Sequence, residues 1–129
     1  MSDGPYILDA SALLALMLGE SGADAVDAIL PNARISAVNL SEVVAKLQER
    51  AVPDDVIVDS LKELDLDVIP FDQPQAMRAG LLRQATRAAG LSLGDRACLA
   101  SAATTGATAI TTDRVWGDLD LGVSIEVAR

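Results

Sequence analysis

Short apolar segments alternate with helical segments along this chain, and that alternation constrains the fold more than any other feature. Segments typical of strands lie at 5–8, 33–36, 67–71, 107–112 and 123–127. Segments with helical patterns lie between them, at 10–18, 21–30, 39–50, 53–64, 73–89 and 92–106. Strands separated by helices predict a parallel sheet with helices on both faces. We therefore expect an α/β domain of three layers, α/β/α, with a mostly parallel five-stranded sheet whose strand order the pattern leaves open.

Residues with strong turn or capping preferences punctuate the helical segments. Ser21 is expected to cap the second helix, which Pro31 ends, and Pro53 is expected in the first turn of the fourth. Gly90 is expected to stop the long fifth helix, and Ser92 to open the last one. These signals leave no linker between separate units, so we expect one domain spanning residues 1–129.

Size and composition favour a folded protein without a membrane segment. Half of the 129 residues are apolar, enough to bury a core. The longest apolar stretch begins at Ala10 and ends before Gly19, too short to span a bilayer. The first residues carry no basic region of the kind that opens a signal peptide, so we expect a cytoplasmic protein. The single cysteine, Cys98, is expected to be a buried structural thiol.

The chain contains no histidine and has a formal net charge of −9. The lack of histidine excludes Ser-His-Asp and Cys-His triads and the usual zinc sites. The acidic balance argues against a broad electrostatic attraction to nucleic acid and suits a hard cation or a basic protein partner. Any catalysis must use carboxylates, hydroxyls, lysine, arginine or a bound metal ion.

Four acidic residues are expected at one edge of the sheet. Asp9 and Asp113 directly follow the first and fourth strand segments. Glu42 lies early in the helix after the second strand, and Asp95 lies in the first turn of the helix that leads into the fourth. In a parallel sheet all four positions fall at the carboxyl edge, where α/β proteins bind ligands.

Each acid also has a purely structural interpretation. Asp9 and Asp113 suit turns, Glu42 suits a helix surface, and Asp95 follows Ser92 by three residues, as in a capping box. Together, however, clustered acids without a basic partner would repel one another and raise their own pKa values, and a cation would relieve this. All-oxygen ligands favour Mg²⁺ or Mn²⁺, which suits phosphodiester hydrolysis.

Three hydroxyl side chains near these acids are candidates for a supporting role. Ser11, Thr111 and Thr112 are expected to hydrogen-bond a carboxylate or a metal-bound water. Helix or turn capping accounts for them equally well.

The stretches YILDASALLAL, ISAVNLSEVVAKL and LSLGDRACLASAATTGATAITTD, followed by RVW, resemble the PIN-domain ribonucleases, and among them the VapC-type toxins of prokaryotic toxin–antitoxin systems. The resemblance runs the whole length of the chain. It implies a Mg²⁺- or Mn²⁺-dependent endoribonuclease whose four-acid site is Asp9, Glu42, Asp95 and Asp113, with Asp118 able to assist. It further implies a parallel five-stranded sheet, a homodimer, and a cognate antitoxin that wraps the toxin and places a basic side chain near the acids.

An RNA substrate must then be held locally, because acids outnumber bases even with four acids neutralised by metal. Arg96 and Arg114 each directly follow a site acid and are the preferred phosphate contacts. Arg34 and Arg50 are weaker candidates, which solvated helix and loop ends explain about as well. A haloacid-dehalogenase-like phosphatase needs a second aspartate where Ser11 stands, and a receiver domain also fits poorly. The remaining alternative is a catalytically silent binding module with this fold that acts through its partner protein.

Overall fold

The computed structural model describes residues 4–129, which contain all five expected strands. They are β1 (Tyr6–Leu8), β2 (Ala33–Ser36), β3 (Asp67–Ile69), β4 (Thr108–Thr111) and β5 (Ile125–Val127). The strands pair in the order β3-β2-β1-β4-β5, and every pair is parallel. The expected parallel five-stranded sheet is confirmed, and β1 is its central strand.

α-Helices lie between every two consecutive strands except β4 and β5. They are α1 (Ala10–Leu18), α2 (Ala23–Ile29), α3 (Ala37–Glu49), α4 (Asp54–Leu64), α5 (Gln73–Leu81), α6 (Arg83–Thr86) and α7 (Leu93–Thr105). Two short 3₁₀ helices cover Leu30–Asn32 and Arg114–Asp118. Within residues 4–129, none of the helices has the length and apolar character needed to cross a membrane.

The alternation of side chains along the central strand divides the core into two halves. Tyr6 and Leu8 pack with residues of α1 to α4 on one face of the sheet. Ile7 packs on the other face with Leu99 of α7 and with Trp116. Since successive strand residues point to opposite faces, one strand supports both hydrophobic clusters and the domain has three layers.

Several helix boundaries differ from the sequence-based expectation. The cap of α2 is Gly22 rather than Ser21, and Gly22 adopts a left-handed φ of 97°. A side chain at Gly22 would overlap the Ala128 carbonyl, so the close approach of the C-terminal segment requires glycine. Helix α3 begins at Ala37, two residues early, because the Ser36 hydroxyl accepts a hydrogen bond from the Val38 N–H.

Two further expectations on helices were wrong in detail. The segment 73–89 forms two helices, interrupted at Leu82 soon after Gly80. Glycine weakens a helix interior, and the Thr86 hydroxyl donates to the Leu82 carbonyl at 2.8 Å, a bond that favours a bend. Pro53 is the residue before α4 rather than part of its first turn. By contrast, the predicted start of α7 at Ser92 is confirmed.

Candidate functional site

Asp9 lies at the carboxyl end of the central strand, where β1 gives way to α1. Its backbone N–H continues the ladder to β4 by donating to the Ile110 carbonyl at 2.9 Å. Its side chain caps α1 by accepting a hydrogen bond from the Ala12 N–H at 2.9 Å. The residue is nevertheless 3% exposed, which is unusual for an aspartate. The carboxylate is thus a buried polar group at the position where parallel sheets bind ligands.

Two hydroxyl groups surround the Asp9 carboxylate. Ser11 Oγ donates to Oδ1 at 2.7 Å, and Thr111 Oγ1 donates to Oδ2 at 2.6 Å. Each hydroxyl oxygen in turn accepts a backbone N–H, from Thr112 for Ser11 and from Asp113 for Thr111. Because both hydroxyl protons are directed at Asp9, the network favours the ionised carboxylate, which only accepts hydrogen bonds.

Burial nevertheless raises the pKa of Asp9 from its ordinary value of 3.8 to about 6. The hydrogen bonds from Thr111, Ser11 and Ala12 oppose this rise, and the negative charge of Asp95 adds to it. Loss of hydration is therefore the main cause, and repulsion between acids is a smaller one. Without a cation, the folded protein holds this carboxylate ionised at neutral pH at a free-energy cost.

Glu42 lies in the second turn of α3 and is half-buried. Asn39, one turn earlier, donates from Nδ2 to Glu42 Oε1 at 3.0 Å and to the Gly94 carbonyl at 3.0 Å. Burial raises the pKa of Glu42, as does the charge of Asp95, while the Asn39 bond and Lys46 lower it. Glu42 is thus held against the start of α7, close enough to Asp95 for their charges to interact.

Asp95 closes a capping box at the start of α7. Its Oδ2 accepts from the Ser92 N–H at 2.9 Å, and its own N–H donates to Ser92 Oγ at 3.2 Å. The structural interpretation of Asp95 as part of a capping box is therefore correct. It does not account for the effect of the Asp95 charge on neighbouring acids. The Asp95 carboxylate raises the pKa of both Asp9 and Glu42, so it faces the same region as they do.

The buried thiol of Cys98 lies beneath the same acids. Cys98 is fully buried one turn after Asp95, with Sγ 3.9 Å from the Ile7 carbonyl oxygen. Burial raises its pKa well above the ordinary value, and the charges of Asp9, Asp95 and Glu42 raise it further. Three acids from three separate segments thus act on one atom beneath the carboxyl edge. The expected buried, unpaired cysteine is confirmed.

Asp113 is exposed two residues beyond β4. Its Oδ1 accepts from the Val115 N–H at 3.0 Å and so begins the second 3₁₀ helix, while its own N–H is tied to Asp9 through Thr111. Asp118, at the end of that 3₁₀ helix, is also exposed. Both lie beyond the end of β4, but their contribution to a site stays a prediction.

The two arginines proposed as phosphate contacts differ in their surroundings. Arg96 is partly buried and donates from Nη1 to the Ala79 carbonyl near the end of α5, at 3.0 Å. That bond uses one of five guanidinium N–H groups and ties α7 to α5. Arg114 is exposed at the start of the second 3₁₀ helix. Phosphate binding by either side chain stays a prediction.

The carboxylates expected to bind a metal ion are present, but they do not form a ready-made coordination site. Within residues 4–129, no three Asp, Glu or Cys side chains are close enough to hold one ion as they stand. Two observations nonetheless fit a cation here. Asp9 and Glu42 both have raised pKa values, and the buried Oδ1 of Asn39 has no hydrogen-bond partner among the described residues. The four-acid metal site stays a prediction.

Sequence reasoning missed two residues that shape this region, Asn39 and Gly94. Asn39 was expected only near a helix start, yet its spacing of three residues from Glu42 places both on one helix face. Gly94 gave no local signal, because its role depends on Glu42, 52 positions earlier in the chain.

The PIN domain family matches residues 6–121, nearly the whole of the chain. The five-stranded parallel sheet is the one expected from the sequence resemblance. The chain therefore belongs to the PIN-domain family.

Among relatives of this family, the chain is similar to VapC ribonuclease Mb2780c of Mycobacterium bovis. The two are 35% identical over 111 residues, which cover 78% of this chain and 84% of the relative. The VapC-type resemblance drawn from the sequence motifs is thus confirmed.

Solved structures show the same fold at lower sequence identity. A toxin–antitoxin complex from Klebsiella pneumoniae has a chain with a TM-score of 0.75 and 21% identity, covering 96% of this chain and 98% of that one. VapBC2 from Rickettsia felis, bound to a promoter DNA fragment, has a TM-score of 0.73 and 17% identity, covering 95% and 97%. These likenesses support the three-layer fold.

Proposed function

We propose that this chain is a Mg²⁺- or Mn²⁺-dependent endoribonuclease toxin that hydrolyses RNA phosphodiester bonds and is inhibited by a cognate antitoxin. The observation that carries the proposal is Asp9. A buried carboxylate accepts three hydrogen bonds at the carboxyl end of the central strand, and its pKa is raised to about 6. A chain that only needed to cap α1 could do so with an exposed aspartate, serine or threonine.

The proposed metal ligands are Asp9, Glu42, Asp95 and Asp113. Their oxygen atoms are the ligand type that Mg²⁺ and Mn²⁺ prefer. The chain has no histidine, and within residues 4–129 no lysine pairs with Asp9, so a cation is the simplest means to offset the buried charge. Such an ion, when bound, activates water at neutral pH and offsets the charge that develops on the phosphate.

The protein's own residues contribute orientation. Ser11 and Thr111 hold the two oxygens of Asp9 in fixed directions, and Thr112 fixes Ser11 through its backbone N–H. Supporting bonds of this kind keep a ligating carboxylate in its productive geometry. Asp118 is the proposed assisting acid, because it follows Asp113 at the end of the second 3₁₀ helix.

RNA binding is proposed to depend on local contacts. The chain carries 19 acidic and 10 basic residues, so its overall field does not attract a polyanion. Arg114 directly follows Asp113 and is exposed, which makes it the better placed of the two proposed phosphate contacts. Arg96 would contact phosphate through the guanidinium N–H groups that do not donate to the Ala79 carbonyl.

The proposed partner is a basic antitoxin segment. The net charge of −9 and the acids at the sheet edge favour a partner that brings lysine or arginine to this site. Two of the similar solved structures are a toxin–antitoxin complex and a VapBC assembly, which supports the same assignment. A homodimer and a cytoplasmic location complete the proposal and follow from the family resemblance and the sequence.

Cleavage of RNA by the purified chain tests the proposal. We expect cleavage with Mg²⁺ or Mn²⁺, none in EDTA, and a loss of roughly a hundredfold or more in Asp9→Asn. Circular dichroism must show that the variant is folded. A folded wild-type chain that binds its antitoxin but cleaves no RNA with either metal would contradict the proposal and favour a silent binding module.

A further inference from the structure

Glu42 is held by a contact that joins two helices distant in the sequence. Asn39 is 1% exposed, and its Nδ2 donates to Glu42 Oε1 and to the Gly94 carbonyl, both at 3.0 Å. One amide therefore fixes the Glu42 carboxylate on α3 and ties it to the first turn of α7. Both acceptors require the nitrogen, so the orientation of the amide is settled by its partners.

Gly94 provides the space that this arrangement needs. A side-chain carbon at Gly94 would overlap Oε1, Cδ and Oε2 of Glu42. The backbone of Gly94 has no left-handed φ, so the requirement for glycine is steric rather than conformational. Alanine is otherwise the better helix former of the two residues. The glycine is thus explained by the carboxylate that lies against it.

A second buried amide in the same protein provides a comparison. Gln75 on α5 is 7% exposed, donates to Thr104 Oγ1 at 2.6 Å and accepts from Ser101 Oγ at 3.2 Å. It also ties a neighbouring helix to α7, but its partners are hydroxyls in the second half of that helix. Within residues 4–129, Gln75 has both ends of its amide bonded, whereas Asn39 Oδ1 has no partner.

We propose that Asn39 is a positioning residue for the metal site, and that Asn39 and Gly94 together form a seat that fixes Glu42 beside Asp95. Asn39 acts through Glu42, whose carboxylate it orients, and does not itself touch the reacting atoms. The inference rests on the proposed function for its catalytic meaning, since Glu42 is a proposed metal ligand. Supporting hydrogen bonds of this kind typically change metal affinity by about ten- to a hundredfold.

The seat itself can be tested without metal. We expect Gly94→Ala to lower the melting temperature of the chain in EDTA, because the added methyl group displaces Glu42. In the Glu42→Ala background the same change should have little effect or raise the melting temperature, since the space is free and alanine favours the helix. If Gly94→Ala lowers the melting temperature equally in the wild-type chain and in the Glu42→Ala chain, Gly94 does not provide the space for Glu42.

The positioning role is tested by Mn²⁺ binding, measured by calorimetry on the chain without RNA. We expect Asn39→Ala to weaken binding by about tenfold or more, and Gln75→Ala to change it by less than about twofold. The weakening should vanish in the Glu42→Ala background, because Asn39 then has nothing to orient. Asn39→Ser, which is too short to span both acceptors, serves if Asn39→Ala does not fold.

The results separate the inference from the proposed function. If the wild-type chain binds Mn²⁺ and Asn39→Ala binds equally well, the positioning role is overturned and the proposed function stands. If Asn39→Ala weakens Mn²⁺ binding to the same extent with and without Glu42, the positioning role is likewise overturned and the proposed function stands. A wild-type chain that binds no Mn²⁺ contradicts the proposed function and, with it, the role of Asn39.

Discussion

Asp9 and Asp95 are both acids that cap a helix at the carboxyl edge of the sheet, but their surroundings differ. Asp9 is buried, accepts from two hydroxyls and one backbone N–H, and has a pKa raised to about 6. Asp95 is partly exposed, and among residues 4–129 its carboxylate accepts a hydrogen bond from Ser92 alone, in a reciprocal capping box. The cap explains the geometry of Asp95 in full, whereas it leaves the burial of Asp9 unexplained.

An acid that caps a helix can also bind a metal ion. A carboxylate at a helix N-terminus is favoured by the dipole and by free N–H groups, so acids there cost little when no metal is bound. Asp9 adds burial, which stabilises the fold only if something offsets the charge. Substitutions at Asp9 and at Asp95 are therefore expected to have different effects on stability, on RNA cleavage and on the pH dependence of stability.

The largest difference is expected when the cap and the charge of Asp95 are removed separately. Asp95→Asn should lower RNA cleavage by roughly a hundredfold or more, because it removes a charge that the proposed metal needs. Its stability without metal should change little, since the repulsion from Asp9 and Glu42 is lost together with part of the cap. Single-turnover cleavage and urea unfolding measure the two effects.

Ser92→Ala is the matched control for Asp95→Asn. It removes the other half of the capping box but leaves the carboxylate in place. We expect a loss of about 1 kcal/mol in the free energy of unfolding and nearly normal cleavage. If Asp95→Asn cleaves RNA as well as Ser92→Ala does, Asp95 is a cap and nothing more.

The burial of Asp9 predicts a pH dependence of stability in the absence of metal. The pKa of Asp9 is higher in the folded state, about 6, than its ordinary value of 3.8, so the folded chain holds the proton more tightly. Its contribution to the free energy of unfolding therefore falls as pH rises from about 4 to about 6, and the loss is complete above that range. The upper limit is about 3 kcal/mol.

Urea unfolding in EDTA at several pH values measures this contribution as a difference between the wild-type chain and Asp9→Asn. The variant cannot titrate at this position, so its stability relative to the wild type should improve from pH 4 to pH 7. Two curves that stay parallel over this range would show that Asp9 is ionised at no cost.

A smaller effect is expected from the two arginines that follow site acids. Arg114→Ala should raise the KM for RNA by several-fold and leave stability unchanged, because the side chain is exposed. Arg96→Ala should lower stability by about 1–2 kcal/mol, because its guanidinium donates to the Ala79 carbonyl. Steady-state kinetics and thermal unfolding distinguish the two outcomes. If the two substitutions have equal effects on KM and on stability, the assignment of Arg114 to RNA binding and of Arg96 to the fold is wrong.

The features that the sequence predicts are those with local causes. The alternation of strands and helices and the Ser92 cap of α7 depend on neighbouring residues, and both are confirmed. The placement of Asp9 and Asp113 after strands also follows from the chain alone. The acids could be assigned to one sheet edge because parallel strands share a direction.

The remaining features arise from packing between distant segments. The cap at Gly22 depends on the Ala128 carbonyl, and Gly94 depends on the Glu42 carboxylate. The burial of Asp9 depends on Thr111, which is brought beside it by the pairing of β1 with β4. Periodicity cannot reveal such contacts, since they are determined by strand order, which the pattern left open.

If a cation offsets the charge of the buried acids, adding metal must stabilise the folded chain, and thermal unfolding with and without metal measures this. Mn²⁺ at about five times its Kd should add about 1 kcal/mol and raise the melting temperature by about 4 °C at pH 7.5. The rise should be smaller at pH 5, where Asp9 is protonated, and nearly absent in Asp9→Asn. An unchanged melting temperature of the wild-type chain at saturating Mn²⁺ and Mg²⁺ at pH 7.5 would contradict the account.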